Sequence, residues 1–248
     1  MCRSSGDHRV GCCPRGTIPG PVADVRCRGS CVMKGELIFE EMAFDAGGRM
    51  VRTGTLALGA GLYLLEGANG AGKSTLFDCM FGLRRSMSGA VSLDGINSIS
   101  KRRQFLSMAS YMPQSFPCYG HMTGSELLVH FLRLRGIGRH DAEQSAQFWL
   151  ARVGLMGDAY RRCEQYSVGM LQRLGFAYAL QAPTRACILD EPTAGVDAVS
   201  RQTMYSILVA EAAERIIVFT DHDFPSSCAA RLSARLRLEG DRLVIQGI

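Results

Sequence analysis

The sequence predicts an α/β fold built on a mostly parallel sheet, and three of its features lead to this prediction. Short apolar strand patterns alternate with helix patterns along most of the chain, which is the order that produces parallel sheets. A glycine-rich segment at residues 67–75 joins one of these strands directly to a helix. A stretch of helical periodicity at about residues 122–165 interrupts the alternation and predicts an inserted helical subdomain.

Length and composition limit the classes of protein to which this chain can belong. Its 248 residues and 47% hydrophobic content can bury a large core, and a charged fraction of 21% is ordinary for a globular domain. No stretch of 18 apolar residues is present, so the sequence predicts neither a membrane span nor export, and we expect a cytoplasmic chain. Residues 1–32 carry +3 of the net charge of +5, which leaves the rest nearly neutral and predicts no nucleic-acid partner.

The first 32 residues are predicted to be a disordered leader. They lack helical or strand periodicity, whereas patterned sequence begins at Met33. We therefore expect one ordered domain at residues 33–248, and our hypothesis is that Met33 is the native start and the leader an extension of the gene model. Five of the ten cysteines fall in this leader without a C-x-x-C pair, so no zinc site is expected there.

The elements on either side of the helical stretch follow in a regular order. Before it, strand patterns at residues 37–46 and 56–65 lead to the glycine-rich segment, a helix and a further strand at 90–93 that ends in the turn Asp94-Gly95. The elements expected after it are a helix at 167–180, a strand at 187–189, a helix at 197–213, a strand at 216–219 and a strand pair at 236–239 and 243–246.

The segment from Gly67 to Ser74 fits the pattern G-x-x-x-x-G-K-[ST] and predicts a P-loop NTPase core. Its glycines allow the backbone N–H groups to wrap around phosphate oxygens, and the following helix presents its positive end. Lys73 is expected to reach the β- and γ-phosphates, and the Ser74 hydroxyl to bind Mg²⁺. The residues predicted to hold the nucleotide here are Gly67, Ala68, Asn69, Gly70, Ala71, Gly72, Lys73, Ser74 and Thr75. A kinase, a GTPase and a transporter ATPase all satisfy this pattern, although no Asn-Lys-x-Asp guanine-binding motif is present.

Two carboxylates follow the apolar strand at residues 187–189. Asp190 is placed to hold Mg²⁺ beside the phosphates, usually through water, and Glu191 to take a proton from an attacking water. A solvated acidic turn is the simpler explanation of such a pair, but the P-loop earlier in the chain favours the functional one.

Together with this pair, four segments make the chain similar to the ATPase subunits of ABC transporters, and the resemblance spans residues 37 to about 245. In chain order the segments are Tyr111-Met112-Pro113-Gln114, Tyr166-Ser167-Val168-Gly169-Met170-Leu171-Gln172-Arg173-Leu174, Glu191-Pro192-Thr193-Ala194-Gly195-Val196-Asp197 and Thr220-Asp221-His222. They resemble the Q-loop, the signature, the catalytic glutamate with its D-loop, and the switch histidine. The resemblance implies an antiparallel β subdomain and an inserted α-helical subdomain beside the P-loop core.

The resemblance also implies a role for each matching residue. Gln114 would sense the metal and the attacking water, Glu191 would be the general base, and His222 would contact the γ-phosphate. The signature residues Ser167 and Gly169 would complete the phosphate site of a second copy, although Ser167 can also cap a helix. Asp197 would link the two sites across that dimer. Phe44 lies where family members often place an aromatic ring on adenine, and it fits a core position equally well.

The signature departs from the common form Leu-Ser-Gly-Gly-Gln. Tyr166, Val168 and Met170 replace three of its five residues, while the serine and second glycine remain. A β-branched Val168 is tolerated only if its φ is negative. The Tyr-Ser-x-Gly-Met form resembles cassettes that serve exporters of the ABC-2 type, which favours export.

The resemblance implies two protein partners and a location. One partner is a transmembrane permease in a separate chain, and the other is a second nucleotide-binding subunit, either identical or related. The subunit would then be peripheral on the cytoplasmic face of the membrane. The apolar segment containing Phe116, Pro117, Tyr119 and Met122 is expected to receive the permease.

Two other functions stay open at this point. Chromosomal ABC ATPases insert long coiled coils between P-loop and signature, for which the chain between Lys73 and Ser167 has no room, and ribosomal types carry two cassettes where we find one. A regulatory subunit that no longer hydrolyses ATP is disfavoured by the presence of Glu191 and His222, whereas Val168 keeps it open. The transported substrate is not encoded here, because the permease reads it.

Overall fold

The computed structural model describes residues 35–247, and the predictions for residues 1–32 and for Met33 lie outside these residues. The strands are β1 (Leu37–Asp45), β2 (Met50–Arg52), β3 (Thr55–Leu58), β4 (Gly61–Gly67), β5 (Ser88–Leu93), β6 (Ile96–Asn97), β7 (Ala109–Met112), β8 (Ala186–Leu189), β9 (Ile216–Phe219), β10 (Ala234–Glu239) and β11 (Arg242–Gly247). The helices are α1 (Lys73–Met80), α2 (Arg102–Met108), α3 (Gly124–Leu134), α4 (Arg139–Arg152), α5 (Val168–Gln181), α6 (Ala198–Glu211) and α7 (Ser226–Ala229).

The sheet combines a parallel half with an antiparallel half. Its strand order in the described residues is β6-β5-β1-β2-β11-β10-β4-β9-β8-β7, and β3 pairs with β1 beside this path. Strands β10, β4, β9, β8 and β7 are parallel to one another, whereas β10 pairs antiparallel with β11 and β1 pairs antiparallel with β2, β3 and β5. The predicted α/β class with a mostly parallel P-loop core and an antiparallel β subdomain is thereby confirmed.

Strand β4 shows how the core is divided by the sheet. Its residues Leu62 and Leu64 pack into one apolar cluster with α5 and the helices of the insertion. Residues Tyr63 and Leu65 pack into a second cluster on the other face, with α1 and strand β1. Because neighbouring side chains of a strand point to opposite faces, a strand covered on both sides has to be apolar throughout.

Strand β1 contains an irregularity that decides which of its residues face the core. Its pairing register with β5 shifts between Glu40 and Ala43, and Glu41 has a left-handed φ of 49°. Leu37 and Phe39 are buried before the shift, and Met42, Ala43 and Phe44 are buried after it. The bulge therefore changes which alternate positions face the core: the odd-numbered Leu37 and Phe39 before it, and the even-numbered Met42 and Phe44 after it.

The chain between β7 and β8 forms the helical insertion. Helix α3 begins with a capping box, in which the Thr123 side chain accepts from the Glu126 N–H and the Glu126 carboxylate accepts from the Thr123 N–H. Helix α4 is tied to the end of α6 by an ion pair between Arg152 and Glu211 with an N–O distance of 2.8 Å. In residues 35–247 no helix is both long and apolar enough to cross a membrane.

Candidate nucleotide-binding site

The glycine loop and several of the other predicted site residues gather at one edge of the sheet. Strands β4, β9, β8 and β7 are parallel, so their carboxyl ends meet at this edge. The glycine loop follows β4, Thr220 follows β9, Asp190 follows β8, and Gln114 lies two residues after β7. Such an edge is where ligands bind in open α/β sheets.

The glycine loop adopts a conformation that requires glycine at two positions. Gly70 and Gly72 have left-handed φ values of 76° and 100°. A Cβ atom on Gly72 would lie 2.7 Å from the Cβ of Ala46, so a side chain there would also collide with its neighbour. The loop leads directly into helix α1, whose first residues Lys73, Ser74 and Thr75 line the cleft. The first N–H groups of a helix have no partner within it and favour an anion.

Lys73 lies folded over the loop that it belongs to. Its Nζ atom donates to the carbonyl oxygens of Gly67 at 2.7 Å and Ala68 at 3.3 Å. The adjoining cleft has a volume of about 450 Å³. Its lining residues are Ala46, Gly47, Asn69, Gly70, Ala71, Gly72, Lys73, Ser74, Thr75, Gln114 and Glu191. The loop, Ser74 and the two polar residues Gln114 and Glu191 therefore share one cavity.

Of the two roles open to Phe44, adenine stacking and a core position, the structure shows the core position. Phe44 is fully buried, with an exposed fraction of 0%, and its ring lies under Gly72 in the core. The bulge in β1 is the physical reason, because it turns the even-numbered positions after Glu41 inward. The part of β1 and its turn that lines the cleft consists instead of Ala46 and Gly47.

Arg49, two residues after Gly47, supports the glycine loop and is a residue that sequence reasoning missed. Its guanidinium group donates to the carbonyl oxygen of Ala71 at 2.9 Å, which ties the turn after β1 to the glycine loop. An isolated arginine in a turn carries no motif, so only the structure identifies this contact.

Asp190 is buried, with an exposed fraction of 2%, and only one of its oxygens is satisfied. Oδ1 accepts from the Thr220 hydroxyl at 2.7 Å, whereas Oδ2 has no hydrogen-bond partner among the described residues. A buried carboxylate oxygen without a donor is costly unless a cation or water binds it. The Asp190 carboxylate, and the Ser74 hydroxyl and Gln114 amide oxygen on the cleft wall, are all oxygen ligands of the kind that Mg²⁺ takes.

Glu191 occupies the centre of the site in a strained backbone conformation. Its φ is 49°, a region that non-glycine residues rarely adopt, and two buried groups hold it there. Its N–H donates to the Thr220 hydroxyl at 2.7 Å, and its carbonyl oxygen accepts from the Gln172 amide at 2.6 Å. On the carboxylate, Oε2 accepts from Gln114 Nε2 at 3.0 Å, and Oε1 lies 3.0 Å from His222 Nε2.

Asp221 anchors the turn that carries His222. Its Oδ2 atom accepts from the hydroxyls of Thr193 and Tyr205, both at 2.7 Å. Burial raises the pKa of the Tyr205 hydroxyl, and the Asp221 carboxylate raises it further, so the hydroxyl stays protonated and donates. The residues after Glu191 and the turn with His222 are thereby fastened to the same helix, α6.

The signature residues stand apart from the cleft of their own chain, whose described lining does not include Ser167 or Gly169. Ser167 caps α5 by accepting from the Met170 N–H at 3.2 Å. Val168 begins this helix without a positive φ, as its β-branched side chain requires, and its exposed fraction is 72%. A Cβ atom on Gly169 would lie 2.9 Å from the carbonyl oxygen of Gly195, so this position admits only glycine.

Asp197 caps helix α6 and lies on the surface. Its Oδ1 atom accepts from the Ser200 N–H at 2.9 Å, and this bond lowers the pKa of the carboxyl group. The role across a dimer that the resemblance gives to Asp197 stays a prediction.

A model of the family described as ABC transporter matches residues 55–194, which is more than half of the chain. The chain belongs to the ABC transporter family. The matched range contains the glycine loop, Gln114, the signature and Glu191, and these residues lie in the family's ATPase domain.

Two relatives show how this ABC domain relates to longer proteins. The phospholipid-transporting ATPase ABCA3 of Homo sapiens is 31% identical over 159 residues, which are 64% of this chain and 9% of that protein. The uncharacterized ABC transporter ATP-binding protein YxlF of Bacillus subtilis (strain 168) is 33% identical over 158 residues, which are 64% of this chain and 52% of that protein. The matches thus extend over about half of YxlF and about a tenth of ABCA3.

Two solved structures share the fold. An ATP-binding subunit of an ABC transporter superposes with a TM-score of 0.76 at 20% identity, over 86% of this chain and 90% of that one. A dimeric ATP-binding cassette solved in a post-hydrolysis state with ADP and Pi gives a TM-score of 0.72 at 17% identity, over 85% and 98% of the two chains.

Proposed function

We propose that this ABC domain binds ATP and hydrolyses it as the motor subunit of a transporter. The observation that carries the proposal is the Glu191 carboxylate, which Gln114 and His222 hold on the wall of the cleft that the glycine loop forms. A carboxylate placed beside a phosphate-binding loop and hydrogen-bonded on both oxygens is suited to accept a proton from water.

Each residue of the cleft has a distinct task in this mechanism. The loop N–H groups and Lys73 bind the β- and γ-phosphates, for which Lys73 gives up its contacts to Gly67 and Ala68. Glu191 accepts the proton of the attacking water at its carboxylate, and His222 directs its Nε2 atom toward the same place. Because the backbone of Glu191 is fixed from both sides, its carboxylate is positioned before the substrate binds.

Mg²⁺ fits this site as the partner of ATP. Ser74, Gln114 and Asp190 would hold it, with the unpaired Oδ2 atom of Asp190 as the decisive ligand position, directly or through water. The ion would neutralise the charge of the β- and γ-phosphates.

A second nucleotide-binding subunit, identical or related, completes the site in this proposal. Ser167 and the 72%-exposed Val168 lie outside the cleft of their own chain, so they are free to face the triphosphate of a partner.

The proposed docking site for a permease is an aromatic groove of about 270 Å³ beside Gln114. Phe116 forms its floor: it is buried with an exposed fraction of 9%, whereas Tyr119 at the rim is 50% exposed. The groove is lined by Tyr111, Pro113, Phe116, Pro117, Cys118, Tyr119, Phe131 and Tyr178. We place the permease in a separate chain and the subunit on the cytoplasmic face of the membrane, and the signature form favours an exporter.

The test of the proposal is the ATPase activity of the full chain and of a Glu191→Gln variant. We expect turnover to fall by a factor of about 10² to 10⁴, because a glutamine amide cannot accept the proton. ATP should still bind to the variant and should drive its dimerisation, measured by light scattering. Glu36→Gln is the matched control, since it removes the same charge from an exposed position that is distant from Glu191 in the sequence.

Two results would count against the proposal. If the unmodified chain binds ATP without any turnover, the result favours the other function, that of a regulatory subunit that no longer hydrolyses ATP. If Glu191→Gln hydrolyses ATP as fast as Glu36→Gln, then Glu191 is not the base.

A further inference from the structure

A cationic surface with exposed aliphatic side chains lies at the end of α1 and the start of α2, and we call it the basic rim. Its aliphatic members are highly exposed, with exposed fractions of 63% for Leu83, 63% for Met87 and 57% for Ile99. All five of its cations are on the surface of the protein. The cations are Arg84, Arg85, Lys101, Arg102 and Arg103.

Packing under the surface holds the two segments of the basic rim together. The Arg102 side chain lies over Gly82, where a Cβ atom would be 3.2 Å from its Nε atom. Beneath them the rings of Phe81 and Phe105 meet edge to face, with centroids 5.9 Å apart. The cations of the loop after α1 and of the start of α2 therefore belong to one surface.

Four cations of the basic rim lack a counter-charge. In residues 35–247 no carboxylate forms an ion pair with Arg85, Lys101, Arg102 or Arg103. The nearby Asp94 is already engaged by Arg185. Other exposed arginines of this protein do pair with carboxylates, namely Arg139, Arg161, Arg162 and Arg242. The basic rim is therefore an unneutralised positive surface.

This mixture of side chains matches the chemistry of an anionic lipid surface. Clusters of lysine and arginine are attracted to acidic headgroups, and aliphatic side chains between them can insert at the boundary with the acyl chains. Single-stranded nucleic acids are bound instead through exposed aromatic rings, and the basic rim has none: Phe81 and Phe105 are buried.

The position of the basic rim also favours a membrane. Phe81 stacks on Tyr111 with ring centroids 4.9 Å apart, and Tyr111 lines the aromatic groove. The buried ring beneath the basic rim thus packs against one wall of the groove that we assign to the permease. We propose that the basic rim binds anionic phospholipid headgroups. The subunit would then contact the bilayer beside its permease, and only this contact beside a permease rests on the proposed function.

Sedimentation with lipid vesicles tests the binding itself. The full chain is mixed with vesicles of phosphatidylcholine containing about one third phosphatidylglycerol, or of phosphatidylcholine alone. We expect binding to the anionic vesicles only, weakening as salt is added. In the quadruple variant Arg85→Gln, Lys101→Gln, Arg102→Gln and Arg103→Gln the partition coefficient should fall by about 600-fold if the four contributions add, since each cation near such a surface contributes about fivefold.

The control removes the same number of charges elsewhere. It carries Arg139→Gln, Arg161→Gln, Arg162→Gln and Arg242→Gln, all exposed cations that have ion-pair partners, and should bind nearly as well as the unmodified chain. Arg84 is left in place because it donates to the Thr75 hydroxyl at 3.2 Å, and Thr75 lines the nucleotide cleft. ATPase activity without lipid should be unchanged in both variants.

A third variant tests the aliphatic part. Leu83→Ser with Met87→Ser should weaken binding to anionic vesicles by about tenfold at high salt, where insertion dominates over charge.

Three outcomes overturn the proposal. Equal losses in the two quadruple variants would show that net charge alone is responsible. Undiminished binding of the basic-rim variant would place the lipid contact elsewhere in the chain. Binding to a single-stranded oligonucleotide without binding to vesicles would assign the surface to nucleic acid. Because the assay needs neither nucleotide nor permease, its failure with intact ATPase activity leaves the proposed function standing.

Discussion

Replacing Thr220 by valine removes one hydroxyl from beneath the catalytic carboxylates and leaves the shape of the side chain unchanged. Thr220 follows β9 and has an exposed fraction of 0%. Its hydroxyl donates to Asp190 Oδ1 and accepts from the Glu191 N–H, both at 2.7 Å. The single substitution therefore releases both acidic residues at once.

The magnitude follows from these two hydrogen bonds. A bond to a carboxylate contributes about 1.5 to 3 kcal/mol and a neutral one about 0.5 to 1.5 kcal/mol. Valine leaves the Glu191 N–H without an acceptor and leaves Asp190 without its one protein donor. We expect the free energy of unfolding to fall by about 2 to 4 kcal/mol, measured by urea denaturation.

The same change should impair hydrolysis more than binding. The left-handed backbone of Glu191 is held by Thr220 and Gln172, so the loss of one contact allows it to relax. A displacement of about 1 Å can cost about 100-fold in rate. In single-turnover assays with saturating ATP we expect the rate constant to fall by about 10- to 100-fold, with a smaller change in the dissociation constant.

Thr220→Ser is the control, because it keeps the hydroxyl and loses only a methyl group, worth about 1 kcal/mol. It should retain most of the activity. If the valine and serine variants unfold at the same urea concentration and hydrolyse ATP at the same rate, the two hydrogen bonds do not support the site as we describe.

Two further predictions concern the insertion and the groove. Burial would raise the pKa of Glu211, but the charges and hydrogen bonds of Arg215 and Arg152 outweigh it and lower that pKa. The ionised Glu211 therefore stabilises the folded state fully above its unfolded pKa of about 4.3, and this stabilisation is lost as the pH falls through the lower pKa of the folded state. Glu211→Gln should therefore cost about 2 to 3 kcal/mol of unfolding free energy at pH 7 and progressively less below about pH 4; a difference constant with pH would contradict this. Tyr119→Asp should abolish co-purification with the permease, whereas Tyr160→Asp should not, because Tyr160 lies outside the groove and is more exposed, at 72% against 50% for Tyr119. Equal retention by both variants would exclude the groove as docking site.

The order of the elements could be predicted from the sequence because it depends on local patterns. The apolar run of β4, the glycine loop and helix α1 each carry their own signal, and the structure places β4 at Gly61–Gly67 with α1 from Lys73. Asp190 and Glu191 could be placed for the same reason, since they follow an unbroken apolar strand. The elements that escaped prediction, β2, β6, α2 and α7, are short and lack a clear period.

The environment of each site residue could not be predicted, because it depends on contacts between distant parts of the chain. Phe44 shows this most clearly: its place in the sequence leaves adenine stacking and a core position equally open, and the bulge at Glu41 decides which face the residue takes. In the sequence Thr220 stands out only because it lies two residues before His222. Its two hydrogen bonds link β9 to the end of β8, some 30 residues earlier, and no motif records them.

The segment that follows β7 contacts three parts of the proposed ATPase subunit: the Glu191 carboxylate, the aromatic groove and the signature helix α5. Gln114 donates to the Glu191 carboxylate at 3.0 Å, and two residues later Phe116 forms the floor of the groove assigned to the permease. Phe116 also lies against Gly175, where a Cβ atom would be 2.7 Å from its ring, and Gly175 belongs to the helix that Ser167 begins. Because the packing at Gly175 leaves no free space, a permease that moves Phe116 has to shift either Gln114 or the signature helix. We therefore expect permease binding and hydrolysis to be coupled through this segment.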